Sequence, residues 1–257
     1  MTRLISGLAL AVVALAAIWF LPTFALRLLA AAVAALGARE VLTILRAGDL
    51  RPAPWLAMAF TAGSSLAMGD VAARYNIVVL AGLGVMLIEV LARGNGLAVA
   101  GAVIGGAIWV GVPLGLLARV HDVGGPSAVL LLLGTVVVSD SAQYYTGRLL
   151  GRHLLAPAVS PKKTIEGALG GVVFGTAAMV LGGRWVLPYV EVPLLVATGL
   201  AMVLLGICGD LFESRLKRLA GLKDSSSLIP GHGGVLDRID ALLFAAPAFY
   251  LLLGSSL

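Results

Sequence analysis

Residues 193–240 read PLLVATGLAMVLLGICG (193–209) followed directly by DLFESRLKRLAGLKDSSSLIPGHGGVLDRID (210–240). The first part carries no charge and has nearly the ~20 apolar residues that a helix needs to cross the hydrocarbon layer of a membrane. The second holds five acidic and five basic side chains, a histidine and a Pro-Gly-His-Gly-Gly turn, and it ends where the next apolar run begins. A membrane-spanning helix that opens into so charged a connection places chemistry at the water boundary, because an ordinary link between two spans needs no such collection.

Working outward, the same alternation of apolar run and charged break recurs along all 257 residues. It predicts nine helices, near 4–20, 24–45, 54–68, 76–92, 97–118, 126–146, 165–182, 193–209 and 241–254. With 60% hydrophobic and only 12% charged residues, lipid is the solvent for most of the chain and no separate soluble domain fits. The run from Leu4 to Phe20 exceeds the ~7–15 apolar residues of a secretory signal and is read as the first membrane helix. Cys208, the single cysteine, lies in an apolar run and supports no disulfide framework. The expected fold is therefore all-α, a polytopic membrane protein with about nine transmembrane helices. Residues 1–135 are expected to serve packing, dimer contact and lipid access. Residues 136–257 form the catalytic region, with cytoplasmic loops at 141–164 and 210–240.

Charge sets the orientation. With the N-terminus inside, thirteen of the eighteen Lys and Arg residues fall on the cytoplasmic side, and only Arg74, Arg119 and Arg184 fall on the other. The net charge of +5 is thus positive-inside asymmetry and implies no nucleic-acid partner. It suits anionic lipid or nucleotide instead. Gly167, Gly171 and Gly175, spaced every fourth residue, let a neighbouring helix approach closely.

If the eighth helix continues past Gly209, then Asp210, Glu213, Ser214 and Lys217 share one face. A helix beginning near Val235 puts Asp237 and Asp240 on one side. Carboxylates of this kind bind hard cations, and Mg²⁺ is commonly held by one or two of them together with substrate phosphates. An ionised carboxylate at membrane depth costs on the order of 3 kcal/mol, a cost that a bound cation would offset. Gly231, Gly233 and Gly234 let backbone come close to an anion and take positive φ.

The pattern Ser214-x-x-Lys217-Arg218, then Lys223-Asp224, then Pro230-x-His232-Gly233-Gly234-x-x-Asp237-Arg238-x-Asp240 resembles the signature of the CDP-diacylglycerol synthases, or phosphatidate cytidylyltransferases. A second stretch agrees with that family: Asp140, Tyr144, Gly147 and Arg148, followed by Ser160-Pro161-Lys162-Lys163-Thr164-x-Glu166-Gly167. The likeness covers roughly residues 138–242. It departs from the family at Gln143, where a small residue is usual, and at Ile165, where an aromatic is common. The resemblance implies transfer of CMP from CTP to phosphatidic acid, giving CDP-diacylglycerol and pyrophosphate, in an inner-membrane homodimer that needs Mg²⁺ and leaves room for a monovalent cation beside it.

Within that resemblance, Asp210, Asp237 and Asp240 are the expected metal ligands. Asp210, Asp237, Lys217, Arg218 and His232 are the expected catalytic residues, His232 as a hydrogen-bond donor to phosphate. Ser214, Lys223, Asp224, Arg238, Lys162, Lys163 and Arg148 are expected to bind substrate, with Lys162 and Lys163 just ahead of helix amides that suit an anion. Two other readings compete. Glu40 and Glu89 inside spans could mark a transporter's path, and a CTP-dependent lipid kinase would use similar charges. The Asp-x-x-Asp-Gly pattern of CDP-alcohol phosphotransferases and a P-loop are both absent. Asp237→Asn is expected to abolish turnover in a protein that stays folded, with product formation and thermal unfolding as paired readouts.

Overall fold

The computed structural model describes residues 2–68, 71–93, 96–226, 228 and 233–255. Its helices are α1 (Thr2–Phe20), α2 (Thr23–Ala47), α3 (Pro54–Ala67), α4 (Val71–Leu87), α5 (Leu97–Gly106), α6 (Val112–Leu150), α7 (Ile165–Val186), α8 (Val192–Leu219) and α9 (Leu236–Ser255). Single π turns, Ile88–Ala92 and Ala107–Gly111, prolong α4 and α5. A short hairpin of β1 (Leu154–Ala156) and β2 (Ser160–Thr164) pairs antiparallel between α6 and α7, with Leu154 opposite Thr164 and Ala156 opposite Ser160.

Local chemistry sets the boundaries. Pro54 occupies the first position of α3, where its missing N–H costs nothing. Thr164 caps α7 by accepting from Gly167 N at 3.1 Å. Inside α6, Gly125 adopts φ 70° and ψ −174° just before Pro126. Glycine tolerates that conformation and proline cannot continue the upstream hydrogen bonding, so the break falls there without any charged loop. The expected helices at 97–118 and 126–146 are thus separate, divided at Gly125.

Among the described residues, four helical stretches are long and apolar enough to cross a membrane: Thr23–Ala47, Leu97–Leu150, Ile165–Val186 and Val192–Leu219. Ala11–Phe20 and Val78–Leu91 are shorter apolar helices. Large apolar side chains such as Leu80, Leu83, Leu169, Val173 and Leu181 stand exposed, as lipid-facing residues do. The chain is an all-α membrane protein.

It forms two compact units. The first comprises Met1–Asp122 with Leu216–Ile239, the second Val123–Arg215 with Asp240–Leu257. In the first, Leu42 of α2, Leu56, Ala57 and Phe60 of α3, Val85 of α4 and Val103 of α5 make a buried apolar cluster. Glu89, fully buried in the π turn after α4, accepts from Ala53 N at 2.8 Å and Arg93 Nε at 3.2 Å, fastening the start of α3.

In the second unit the glycine repeat of α7 packs against α6. A Cβ at Gly167 would sit 2.7 Å from the Gln143 carbonyl, and one at Gly175 would sit 2.6 Å from Val203 and 2.8 Å from Ser139. Lipid supplies no hydrophobic drive between helices, so this close backbone approach is what holds them together. Gly170→Ala would put a methyl group into Thr146. Overpacking of that kind costs about 1–3 kcal/mol, and thermal unfolding in detergent should show a lower Tm. Gly134→Ala, which meets nothing within 4 Å, should leave Tm unchanged or raise it.

Candidate active site

In the second unit the acidic ends of α6, α8 and α9 gather around a single lysine. The hairpin delivers Lys163 from β2, and its ammonium donates to Asp210 Oδ2 on α8. Asp210 Oδ1 accepts from the Ser214 hydroxyl one turn later at 3.3 Å. The negative charge of Asp210 bears on both Asp140 and Asp240, while Lys163 attracts Asp140. Gln143 donates to Asp140 at 3.0 Å and to Ser139 at 3.3 Å, and buried Glu213 hydrogen-bonds Asp240. Gly209 lets α9 approach, since a Cβ there would lie 2.7 Å from the Asp240 carbonyl.

The hairpin is itself fastened by Glu166, in the first turn of α7. Its carboxylate accepts from Arg152 N at 3.0 Å, His153 N at 3.2 Å and His153 Nδ1 at 2.6 Å. Lys162 and Arg148 are exposed nearby in sequence, and Arg148 reaches the Tyr144 hydroxyl at 3.3 Å.

Does this set suit Mg²⁺? Among the described residues no three His, Cys, Asp or Glu side chains stand close enough to make a ready-formed cage. The donors are nonetheless of the right class, because Mg²⁺ usually takes one or two carboxylates and completes its shell with water and substrate phosphate. Asp210 and Asp240, mutually repelling and countered only in part by Lys163, are the pair that a divalent cation would relieve.

In the first unit Ser225, Ser226 and residues 234–236 gather on two carboxylates. Lys217, itself buried, donates to Asp237 Oδ1. Asp237 Oδ2 accepts from Ser225 N at 3.1 Å, the Ser225 hydroxyl at 2.8 Å and Gly234 N at 2.8 Å. Glu40, buried on α2, takes the Ser225 hydroxyl at 2.9 Å, the Ser226 hydroxyl at 2.7 Å, Val235 N at 2.9 Å and Leu236 N at 2.7 Å. Gly233 has φ 78°, and a Cβ there would sit 2.7 Å from Asp237 Oδ2. A Cβ on Gly234 would strike Ser225 and Glu40. The glycines thus admit the protein's own carboxylates.

Residues 1–256 match the cytidylyltransferase family. The chain belongs to that family. Over 127 residues, 49% of this chain and 42% of the relative, it is 46% identical to the uncharacterized protein YnbB of Escherichia coli. It is 41% identical over 125 residues to a phosphatidate cytidylyltransferase of Aquifex aeolicus, covering 49% of this chain and 46% of that one. With the Brucella suis protein of the same name it shares 41% identity over 175 residues, 67% of this chain and 62% of that one. The chain spans about half the length of the curated relatives it matches.

In this cytidylyltransferase-family chain the expected residues fall into two groups. Asp210, Ser214, Lys163 and Asp240 belong to the second unit, and Lys217, Arg218, Lys223, Asp224, Asp237 and Arg238 to the first. Arg218 donates to the Leu222 carbonyl at 3.0 Å, and Lys223, Asp224 and Arg238 are exposed. His232 lies outside the described residues. Sequence reasoning did not foresee the hydrogen bonds between Glu40, Ser225 and Ser226, and it read Glu40 and Glu89 as marks of a transport path. Both are engaged by local donors that anchor other segments.

Burial raises the Asp237 carboxyl, but the Lys217 ammonium, Gly234 N–H and Ser225 hydroxyl more than offset it and hold it below its ordinary value of 3.8. A group depressed in the folded state contributes stability above its unfolded pKa and loses it as pH falls through the folded value. Thermal stability of the wild type should therefore decline on acidification below about 4, and Asp237→Asn should flatten that part of the profile. Asp237→Asn is then expected to loosen the loop as well as remove a charge from the site.

Proposed function

We propose that the protein transfers CMP from CTP to phosphatidic acid, giving CDP-diacylglycerol and pyrophosphate. The observation that carries this reading is the 38–42% identity, over 125 to 175 residues, to several proteins named phosphatidate cytidylyltransferase. On this reading the chain crosses a bacterial-type inner membrane nine times as a homodimer, with its chemistry at the cytoplasmic face, and the positive-inside distribution of Lys and Arg supports that orientation.

The nucleophile needs little activation. A phosphate monoester has a second pKa near ~6, so the phosphatidate oxygen is anionic at neutral pH without a general base. It attacks the α-phosphorus of CTP. A phosphorus–oxygen bond forms to the lipid phosphate, the bond between the α-phosphorus and its bridging oxygen breaks, and pyrophosphate leaves with that electron pair. The barrier lies chiefly in bringing two anions together, which makes positioning and charge compensation the protein's task. Lys162, Lys163 and Arg148, with the α7 amides behind Thr164, offer one anion-binding surface. Lys217, Arg218, Lys223 and Arg238 of the other segment would neutralise triphosphate and departing pyrophosphate, with Ser214, Asp224 and His232 as hydrogen-bonding partners.

Mg²⁺, when bound, would supply compensation of phosphate charge, held by Asp210 and Asp240. Asp237, the third expected ligand, is engaged by Lys217, Ser225 and Gly234. A monovalent cation beside the metal is part of the same proposal.

The test is a purified-protein assay with CTP and phosphatidic acid in detergent. Pyrophosphate release should require both substrates and Mg²⁺ and stop with EDTA. Asp210→Asn, folded by thermal-unfolding criteria, should lose about 100-fold or more in kcat. Release of CDP without pyrophosphate would identify a lipid kinase and overturn the proposal.

A further inference from the structure

The four donors gathered on Glu40 are unusual in their origin. They come from residues 185 to 196 positions away, two from serine hydroxyls and two from the backbone at the start of α9. Each carboxylate oxygen takes one hydroxyl and one amide, so both ends of the segment 225–236 are tied to a single side chain of α2. Among the described residues no basic side chain forms an ion pair with it. Its contacts are satisfied by the loop itself. The Ser225 hydroxyl also touches Asp237, which is bound in turn to Lys217. A chain of contacts runs from Glu40 through Ser225 and Asp237 to Lys217.

The geometry points to Glu40 as a positioning residue for the reaction. It ties Ser225 and Ser226 to the start of α9, between Lys217 and Lys223 on one side and Asp237 and Arg238 on the other, so that their charges stand where a nucleoside triphosphate would be received. This rests on the reading of that loop as substrate-binding given above. A buried carboxylate was available to do this because hydrogen bonds to a charged acceptor are stronger than neutral ones, and those formed away from water are not competed for. Gly234 follows from the same demand, since any side chain there would push Glu40 and Ser225 apart.

Glu89 provides the comparison. It is equally buried in the same unit, but its hydrogen bonds to Ala53 and Arg93 fasten the start of α3. Glu40→Gln keeps length and one acceptor oxygen, and Glu40→Leu removes all four contacts. Hydrogen exchange of the full chain in detergent should show the Val235 and Leu236 amides exchanging about tenfold faster or more in either variant, and unchanged in Glu89→Gln. With CTP varied, kcat/KM should fall about 30-fold in Glu40→Gln and further in Glu40→Leu. Glu89→Gln, brought to the same fractional loss of Tm, should keep its kcat/KM within twofold of wild type.

Unchanged protection at Val235 and Leu236 in Glu40→Gln would overturn the inference, as would normal kcat/KM in a folded Glu40→Leu. So would a loss of kcat/KM in Glu89→Gln as deep as that in Glu40→Gln. Absence of cytidylyl transfer by the wild type would instead refute the functional reading, and the exchange experiment would still decide whether Glu40 holds the loop.

Discussion

A carboxylate taken out of water beside lipid costs several kcal/mol unless donors replace the lost hydration. Glu89, Glu40 and Asp237 meet that requirement with backbone and side-chain donors, the Ser225 hydroxyl being shared by the last two. Glu89 uses an amide and an arginine, Glu40 two hydroxyls and two amides, and Asp237 an ammonium, a hydroxyl and two amides. The partners come from distant segments, so satisfying the charge also fixes the chain. Asp210, Asp140 and Asp240 differ, because one lysine serves a group of mutually repelling charges. Local fastening and a surplus of negative charge thus fall to different carboxylates.

That separation suits a reaction between two anions. In the proposed cytidylyl transfer a surplus of carboxylate would draw in a cation, and fixed basic side chains would hold phosphates against their own repulsion. The hairpin contributes Lys163 through a chain of dependences: Glu166 pins Arg152 and His153, the strands pair, and Lys163 is carried toward Asp210. None of these contacts is strong alone in water. Arranged on helix ends held by close glycine packing, they fix where charge stands.

Much of the fold was legible because membrane helices announce themselves by long uncharged runs. The predicted eighth helix, 193–209, lies inside α8, and the predicted extension past Gly209 is present to Leu219. Thr164 before α7 and the helix start near Val235 were readable from local chemistry. The hairpin was not, since its strands are only three and five residues long and Glu166, which helps to fasten it, lies beyond them in the chain. Glu40 was visible only as an acid in an apolar helix. Its partners lie some 185 residues away, and no local pattern connects them. The glycines near residue 234 were read as allowing positive φ and close approach of an anion; Gly233 takes positive φ, and the space there admits Glu40 and Asp237. Charge type was legible, and the choice of partner was not.

The central claim is that the α-phosphoryl of the nucleotide, with its cytidine, ends on the lipid. The most direct measurement gives the purified protein phosphatidic acid with CTP radiolabelled in either the α- or the γ-phosphate and follows the label into the chloroform phase. Label from the α-position should enter lipid, and label from the γ-position should leave as pyrophosphate in the aqueous phase. Entry of γ-label into lipid, or of neither label under conditions where the protein is folded, would contradict the account.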